Sequence, residues 1–335
     1  MMAGPSSPLP AALHELPHAT SRTRLPMRRQ LLRAEPKARG NIGANPGKPR
    51  FDPMSEHERK GVRKPTWQEI MVGYSGSKRR WQIAALPLIG PMLGKVHLDE
   101  KIEAGWMVPV NAEIGRIQNL ALPFDILKSV IGKASYVLRM NQCPCRAGYG
   151  CQAYPHEIGC LIMGPAAREI RPEFGEEVSR GQALLHTQKA VEAGLVPLIV
   201  HTMDDSEIFG IDYRRHLAIC FCCDCCCDYR IALRVGPKAF GNNIHRLPGL
   251  TVWVNNACTL CGACLGVCFR EGIITSGTVK VQISEACVGC GKCAAVCPAG
   301  AITFRLTIGA ETPRALITVL EGRTNFGEAH GEPTG

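Results

Sequence analysis

The sequence predicts an α+β protein with a disordered basic N-terminus, a cysteine-rich α/β domain and a small C-terminal domain that contains an internal repeat. Three observations support this prediction. All 18 cysteines lie after residue 140, in three separate groups, and the last eight repeat one spacing twice. The first 80 residues hold 16 Lys and Arg against 6 Asp and Glu, so they account for the whole net charge of +10.

Composition argues against one large apolar core. The chain has 335 residues, of which 35 are glycine, 24 are proline and only 6% are aromatic. That length suits one large domain or two modest ones. We place a disordered basic tail at 1–65, an apolar and amphipathic connecting segment at 66–122, the cysteine-rich α/β domain at 123–248, the repeat-containing domain at 249–306 and a C-terminal extension at 307–335.

The N-terminal tail is rich in Pro, Gly, Arg and Ser and lacks apolar periodicity, which predicts disorder. Arg28 and Arg29 have the outline of a twin-arginine export signal, but polar residues follow them where such a signal has an apolar region. We therefore expect reduced thiols in a cytoplasm, and an oxygen-poor one. A docking arm for nucleic acid or anionic lipid is the alternative, but stacking aromatics are nearly absent, so no nucleic-acid partner is expected.

The most apolar run of the chain is Ile83 to Leu93. It is too short to cross a bilayer and is interrupted by two prolines and a glycine. We expect it to pack on the core or on a partner protein. An interfacial membrane anchor at 83–93, beside Trp81, is the alternative.

Two helices and a strand are predicted between the cysteine groups. Asp125 is a candidate N-cap for a helix whose apolar residues recur as far as Leu138. Ser179 and Gln182 form a capping-box pattern, and Gly194 stands where a helix-ending glycine belongs. The apolar residues 195–200 then predict a strand.

The first cysteine group consists of Cys143, Cys145, Cys151 and Cys160, in a stretch rich in glycine and proline. Such a stretch predicts a loop folded around a ligand. A third iron-sulfur cluster is our leading interpretation; zinc, or thiols that bind no metal, remain open. Arg146 would offset the cluster's charge and donate N–H groups to its sulfurs, and His156 is either a ligand, a hydrogen-bond donor or an ordinary surface histidine.

The second group has six thiols in eight residues, from Cys220 to Cys227. They cannot all face one metal. We single out Cys222, Cys223, Cys225 and Cys226 as candidate metal ligands or redox thiols. The group would complete the first site, hold its own metal or cycle between dithiol and disulfide; a buried apolar strand that tolerates cysteine is the plain alternative.

The third group repeats the spacing C-x-x-C-x-x-C-x-x-x-C. Each cysteine of the first half lies 29 residues before its counterpart: Cys258, Cys261, Cys264 and Cys268, then Cys287, Cys290, Cys293 and Cys297. Val252 and Val254 are matched by Val281 and Ile283, so each half predicts a strand, a loop, a short helix and a strand. Thiolates at this spacing wrap [4Fe-4S] clusters. A zinc site or a disulfide framework fits two consecutive runs of this kind poorly.

Residues 250–304 closely resemble the bacterial two-cluster ferredoxin module. The resemblance implies a ferredoxin-like fold and two [4Fe-4S] clusters with crossed ligands: one held by Cys258, Cys261, Cys264 and Cys297, the other by Cys287, Cys290, Cys293 and Cys268. Phe269 departs from the family, in which a proline follows the fourth cysteine of the first half. This change removes no ligand, but we expect it to alter the hydrogen bonding, and so the potential, of the cluster that Cys268 serves.

The region 123–304 also resembles larger 4Fe-4S proteins with cysteine segments ahead of a two-cluster module. The matching residues are Cys143-Pro144-Cys145-Arg146, Gly159-Cys160-Leu161, Glu192-Ala193-Gly194-Leu195-Val196 and Cys222-Cys223-Asp224-Cys225-Cys226. No nucleotide-binding glycine loop and no radical-SAM cysteine trio accompanies them.

We therefore expect a ferredoxin-type electron carrier, or an electron-entry subunit of an anaerobic oxidoreductase, whose partner is a redox protein. The clusters do the chemistry, and no catalytic residue is predicted. An enzyme that uses a Cys220–Cys227 centre fed by the clusters is the first alternative. A zinc-structured nucleic-acid-binding protein is the second.

Overall fold

A computed structural model describes residues 64–87, 103–109, 121–275, 280–306 and 312–327. Within these ranges the chain forms eleven strands: β1 (Ala104–Met107), β2 (Val137–Met140), β3 (Leu161–Met163), β4 (Gly175–Glu177), β5 (Val196–His201), β6 (Leu217–Cys222), β7 (Ile244–Arg246), β8 (Leu250–Val254), β9 (Ile273–Ile274), β10 (Gln282–Ile283) and β11 (Ile302–Leu306). Its α-helices are α1 (Trp67–Ser75), α2 (Ser77–Ala84), α3 (Ala121–Lys133), α4 (Pro144–Gly148), α5 (Arg180–Glu192), α6 (Met203–Phe209), α7 (Asp228–Val235), α8 (Ala263–Val267), α9 (Lys292–Ala295) and α10 (Thr312–Glu321).

Seven strands form one sheet in the order β4–β2–β3–β6–β5–β1–β7. All neighbours in it are antiparallel except β1 and β7. The prediction of mixed helix and strand is confirmed. The cysteine-rich region, however, has the antiparallel pairing of an α+β domain and not the parallel sheet that an α/β domain implies.

The sheet brings two cysteine groups to adjacent strands. Leu161 of β3 pairs with Ile219 of β6, so Cys160, just before β3, lies beside Cys220. On the other side of β6, Cys220 pairs with Leu198 of β5. Strand β5 is buried along its whole length, which explains why all its residues before His201 are apolar.

Two predictions about the segment before the first cysteine group were wrong. Asp125 is not an N-cap, because α3 begins at Ala121 and Asp125 lies inside it. Leu138 is not helical: the chain leaves the helix after Lys133 and enters β2. The apolar residues beyond the helix end face the core from a strand, where burial and not helical spacing places them.

The local signals around α5 were read correctly. Ser179 accepts a hydrogen bond from the backbone N–H of Gln182, and the Gln182 side chain accepts one from the N–H of Ser179. Gly194 has φ +78°, the left-handed conformation that ends many helices. Strand β5 follows two residues later.

The C-terminal module consists of two strand–loop–helix–strand halves, as the repeat predicts. The outer strands β8 and β11 pair antiparallel, and so do the inner strands β9 and β10. The chain then returns to the large sheet domain, where Phe326 is fully buried and its carbonyl accepts from the N–H of Ser135.

The predicted tail up to residue 63 and much of the predicted connecting segment lie outside the described residues. The described parts of 66–122 form α1, α2, β1 and the first residues of α3, so this stretch supplies a strand to the sheet. Of the apolar run 83–93, only residues 83–87 are described, and Ile83 and Leu86 are exposed. None of the helices in the described ranges has the length and apolar character needed to span a membrane.

Candidate metal centres

The two halves of the C-terminal module are related by matched hydrogen bonds. The N–H of Asn255 donates to the carbonyl of Ala301 over 2.8 Å, and the N–H of Ser284 donates to the carbonyl of Gly272 over 2.9 Å. Each residue of the first pair lies 29 positions from one residue of the second. The sequence repeat is therefore a structural repeat as well, and equivalent thiols stand in equivalent surroundings.

Each cluster loop ends in a glycine with left-handed backbone. Gly262 has φ +78° and Gly291 has φ +86°, directly before α8 and α9. A side chain would strain the backbone at either position. These glycines let each loop turn sharply enough to bring its thiols to one side.

The first set of thiols surrounds a cavity of about 20 Å³. It is lined by Cys258, Cys261, Cys264 and Cys297, together with apolar residues of β8 and β11. Burial raises the pKa of the Cys264 thiol, and the neighbouring thiolates of Cys297, Cys258 and Cys261 raise it further. The structure thus brings together the crossed set that the ferredoxin resemblance implies.

The second set lies around Cys293. Burial raises the pKa of this thiol, and so do the nearby thiolates of Cys290, Cys287, Cys268 and Cys264. Since Cys264 belongs to the first set, the two sets are neighbours. Thiols in such surroundings stay protonated unless a cation compensates their charge.

Both sets have the surroundings that an iron-sulfur cluster requires. The N–H of Ala301 lies 3.3 Å from the sulfur of Cys297, and that of Gly272 lies 3.2 Å from the sulfur of Cys268. Backbone N–H groups aimed at cysteine sulfur stabilise the thiolate form and tune cluster potential. The residues fit two [4Fe-4S] clusters by thiol number, by spacing and by these donors.

Upstream, six thiols line an internal cavity of about 30 Å³, which we call the six-thiol cavity. They are Cys143, Cys145, Cys160, Cys220, Cys222 and Cys227. Hydrogen bonds from Cys145 and Cys160 lower the pKa of the Cys143 thiol well below its usual range. The sulfurs of Cys222 and Cys227 are 3.1 Å apart.

Three carboxylates also line the six-thiol cavity, those of Asp204, Asp205 and Asp228. Asp205, in α6, is nine-tenths buried, and its Oδ2 atom has no hydrogen-bond partner among the described residues. Burial raises its pKa to about 7, and the charge of Asp204 contributes in the same direction. A buried carboxylate oxygen without a donor costs free energy unless it meets a proton or a cation.

A different set of thiols includes Cys151, which is not among the residues that line the six-thiol cavity. The sulfurs of Cys151, Cys223, Cys225 and Cys226 all lie within 4.8 Å of one another. We call them the four-thiol group. The structure thus divides each of the two predicted upstream sets. Cys151 is separated from the other three thiols of the first set, and Cys222 from the other three of the second.

Arg146 is fully buried beside both thiol groups. Its guanidinium donates to the carbonyls of Pro155, Ile158 and Phe221, so its hydrogen bonds go to backbone oxygens and not to sulfur. Burial lowers its pKa, but the charges of Cys143, Cys160 and Cys223 outweigh this, and the net shift is upward. His156 is half-buried, and its Nε2 atom lies 2.7 Å from the carbonyl oxygen of Cys151.

The loop that carries the four-thiol group also contacts the C-terminal module. Asp224 forms ion pairs with the buried Arg230 and with Lys292 of α9, the latter at 3.0 Å. Lys292 also donates to the carbonyl of Gly194 over 2.8 Å. Burial raises the pKa of Cys290, and the positive charge of Arg230 opposes part of that shift. The upstream thiols and the second cluster set are therefore adjacent.

The sequence analysis placed Cys220 and Cys227 in the second cysteine group but not among its four candidate ligands, and it did not single out Asp205 or Lys292. A signal existed for the first of these, because Cys220 and Cys222 are two apart in a strand and so share one face. Asp205 and Lys292 gave no signal, since their partners are distant in sequence.

Comparisons with known proteins agree with the C-terminal geometry. The protein-family model described as a 4Fe-4S binding domain matches residues 281–303. The comparison with curated proteins found no match, and neither did the comparison with solved structures. The chain therefore carries an iron-sulfur, ferredoxin-like module at its C-terminal end.

Proposed function

We propose that this protein transfers electrons through two [4Fe-4S] clusters, as a ferredoxin-type carrier or as the electron-entry subunit of an anaerobic oxidoreductase. The observation that carries the proposal is the adjacency of the two cysteine sets of the C-terminal module, which meet at Cys264 and Cys293. Clusters held this close form a short path for single electrons. The alternative of an enzyme with its own thiol centre gains no support from the comparisons.

The ligands in this proposal are the crossed sets. Cys258, Cys261, Cys264 and Cys297 hold the first cluster, and Cys287, Cys290, Cys293 and Cys268 hold the second. The clusters supply one-electron chemistry, and the chain sets their potential through burial and N–H donors. Ala301 and Gly272 provide such donors.

The two ends of the path differ. Cys261 is exposed, so the first cluster reaches the protein surface, where a redox partner exchanges electrons with it. The second cluster faces the large sheet domain, because Arg230 lies beside Cys290. Electrons that pass both clusters arrive next to the upstream thiols.

A third centre in the six-thiol cavity extends the path. Its walls offer more thiols than one cluster needs. Asp205 adds a carboxylate oxygen, Oδ2, which has no hydrogen-bond partner within the described ranges. This centre keeps Cys143, Cys145 and Cys160 of the predicted set but not Cys151. In place of Cys151 it has Cys220 and Cys222 of β6 and Cys227 at the start of α7.

Iron and acid-labile sulfide, counted per chain on anaerobically purified protein, test the proposal. Two clusters give about eight irons, and a third centre raises the number to about twelve. Low-temperature electron paramagnetic resonance after dithionite reduction should show the coupled spectrum of two neighbouring reduced clusters. A colourless protein, or one without sulfide, would refute the proposal.

Matched variants separate the centres. Cys261→Ser removes a ligand of the first cluster and Cys290→Ser one of the second, so each should lower the iron content by up to about four. Cys145→Ser should affect only the third centre. Because five thiols remain in that variant, the combined replacement of Cys143, Cys145, Cys160 and Cys220 by serine, which leaves two, completes the test. If this combined variant still binds about twelve irons, the six-thiol cavity is not the third site.

A further inference from the structure

We propose that the four-thiol group binds a single divalent metal ion and not an iron-sulfur cluster. The ion is one that accepts four thiolates in a tetrahedron, zinc above all. This site is separate from the electron path, and its role is to fix the loop between β6 and α7.

The sulfur positions carry this inference. The sulfur of Cys225 lies 3.4 Å from that of Cys151, 3.3 Å from that of Cys226 and 3.9 Å from that of Cys223. A zinc ion bonded to four sulfurs at about 2.3 Å sets neighbouring sulfurs about 3.8 Å apart. The observed arrangement needs little change to admit such an ion.

A cluster needs a wider arrangement, because its ligands bind four different irons around a cube. In the described part of the chain, no other group of three or more possible ligands lies within 4.8 Å. The cysteines of the two ferredoxin sets are therefore spaced more widely than the four-thiol group. Spacing alone distinguishes a one-ion site from the cluster sites in the same molecule.

Hydrogen bonds between thiols do not explain why these cysteines converge. Cys151 and Cys225 are 74 positions apart and lie on different loops. Thiols are weak donors and weak acceptors, so they stabilise such a meeting little. A shared metal ion does so strongly, and thiolates are its preferred ligands.

Backbone donors already face the sulfurs. The N–H of Cys226 lies 3.2 Å from the sulfur of Cys223. The N–H groups of Ala153 and Tyr154 are hydrogen-bonded to the thiol of Cys151. Such donors orient thiolates and offset the surplus negative charge of a site with four thiolates and a divalent ion. Arg146 lies close enough to Cys223 to add a positive charge.

The site has a consequence for the whole molecule. Asp224 stands between two of the ligands and pairs with Lys292 of the C-terminal module. Tyr154, three residues after Cys151, donates its hydroxyl to the same carboxylate over 2.8 Å. An ion that joins the two loops thus holds the acidic group against which the module docks.

X-ray absorption at the zinc edge on the full-length, anaerobically purified protein tests the site without any variant. We expect four sulfur neighbours at about 2.3 Å and no iron neighbour. Metal analysis should find about one zinc per chain, or, when zinc is withheld during growth, about one iron in excess of sulfide. Protein without such an ion under both conditions would overturn the proposal.

Paired variants locate the ion. Cys225→Ser combined with Cys226→Ser should reduce the single ion to none and leave sulfide unchanged. Cys222→Ser combined with Cys227→Ser is the matched control: it removes two thiols from the same loop, but on the side of the six-thiol cavity, and should retain the ion. Loss of about four irons with their sulfide from the first variant would show that the group holds a cluster instead.

Discussion

Arg230 stacks on Phe269, with its guanidinium carbon 4.0 Å from the centroid of the ring. Phe269 stands where the two-cluster ferredoxins that this region resembles have proline. It is buried, and Arg230, which is also buried, pairs with Asp224 in the loop of the four-thiol group. The aromatic side chain at this position therefore has a structural role, because it gives the module a surface that packs against the large sheet domain.

Phe269→Ala should destabilise the protein by about 3–5 kcal/mol, because it removes a buried ring and leaves Arg230 without its stacking partner. Phe269→Leu keeps most of the apolar volume and should cost less than Phe269→Ala. Both variants lose the cation–π contact, which is worth about 0.5–2 kcal/mol. Denaturant unfolding, followed by fluorescence and cluster absorbance, measures both. Leu185→Ala, at an exposed position, is the control; a Phe269→Ala cost no larger than that of the control would contradict the packing argument.

The ion pair between Lys292 and Asp224 should couple the two parts of the chain. Lys292 is mostly buried, but Asp224 is 45% exposed, so solvent screens the pair and we expect a coupling of only about 1 kcal/mol. A double-mutant cycle with Lys292→Ala and Asp224→Ala gives this quantity directly. Additive effects, within about 0.3 kcal/mol, would show that the pair does not hold the parts together.

Gly291→Ala should impair the second cluster selectively. The left-handed backbone at this residue costs about 1–2 kcal/mol for any residue with a Cβ atom, and the strain falls beside Cys290. The iron content should drop towards that of a one-cluster protein. Gly181→Ala is the control, because Gly181 is exposed within α5 and alanine favours a helix there. Full iron content and unchanged stability in Gly291→Ala would disprove the role given to this glycine.

Stability should fall as the solution is acidified below about pH 6.5, the ordinary pKa of histidine. Burial lowers the pKa of His216 to about 4, and it lowers that of His201 well below its usual value. Both rings are neutral in the folded protein, so the unfolded chain binds more protons between about pH 6.5 and 4, and folding loses free energy across that window. For His216 alone the loss amounts to about 3 kcal/mol.

Denaturant unfolding of wild type and of His216→Gln, at steps from pH 7.5 to 4.5, checks this linkage. The variant should show a shallower decline below pH 6.5 and the same slope as wild type above it. Parallel curves over the whole range would mean that His216 is not held neutral in the fold.

Local chemistry explains which features could be predicted from the sequence. The repeated cysteine spacing, the capping box at Ser179 and the glycine at 194 depend on residues a few positions apart, so each is readable along the chain. The limits of α3 could not be predicted in this way. Apolar residues on the helix and on the strand β2 after it face the same core, so their spacing along the sequence does not show where the helix ends.

The sequence by itself determined an iron-sulfur module at the C-terminal end, since eight thiols at that spacing leave few other uses for them. Only the tertiary structure decided how the remaining ten cysteines are grouped. Antiparallel pairing of β3 with β6 sets Cys160 beside Cys220, and the turn after β6 sends Cys223, Cys225 and Cys226 towards Cys151 and not towards Cys222. Strand register and chain direction are long-range properties of the fold, and no spacing within a single cysteine group encodes them.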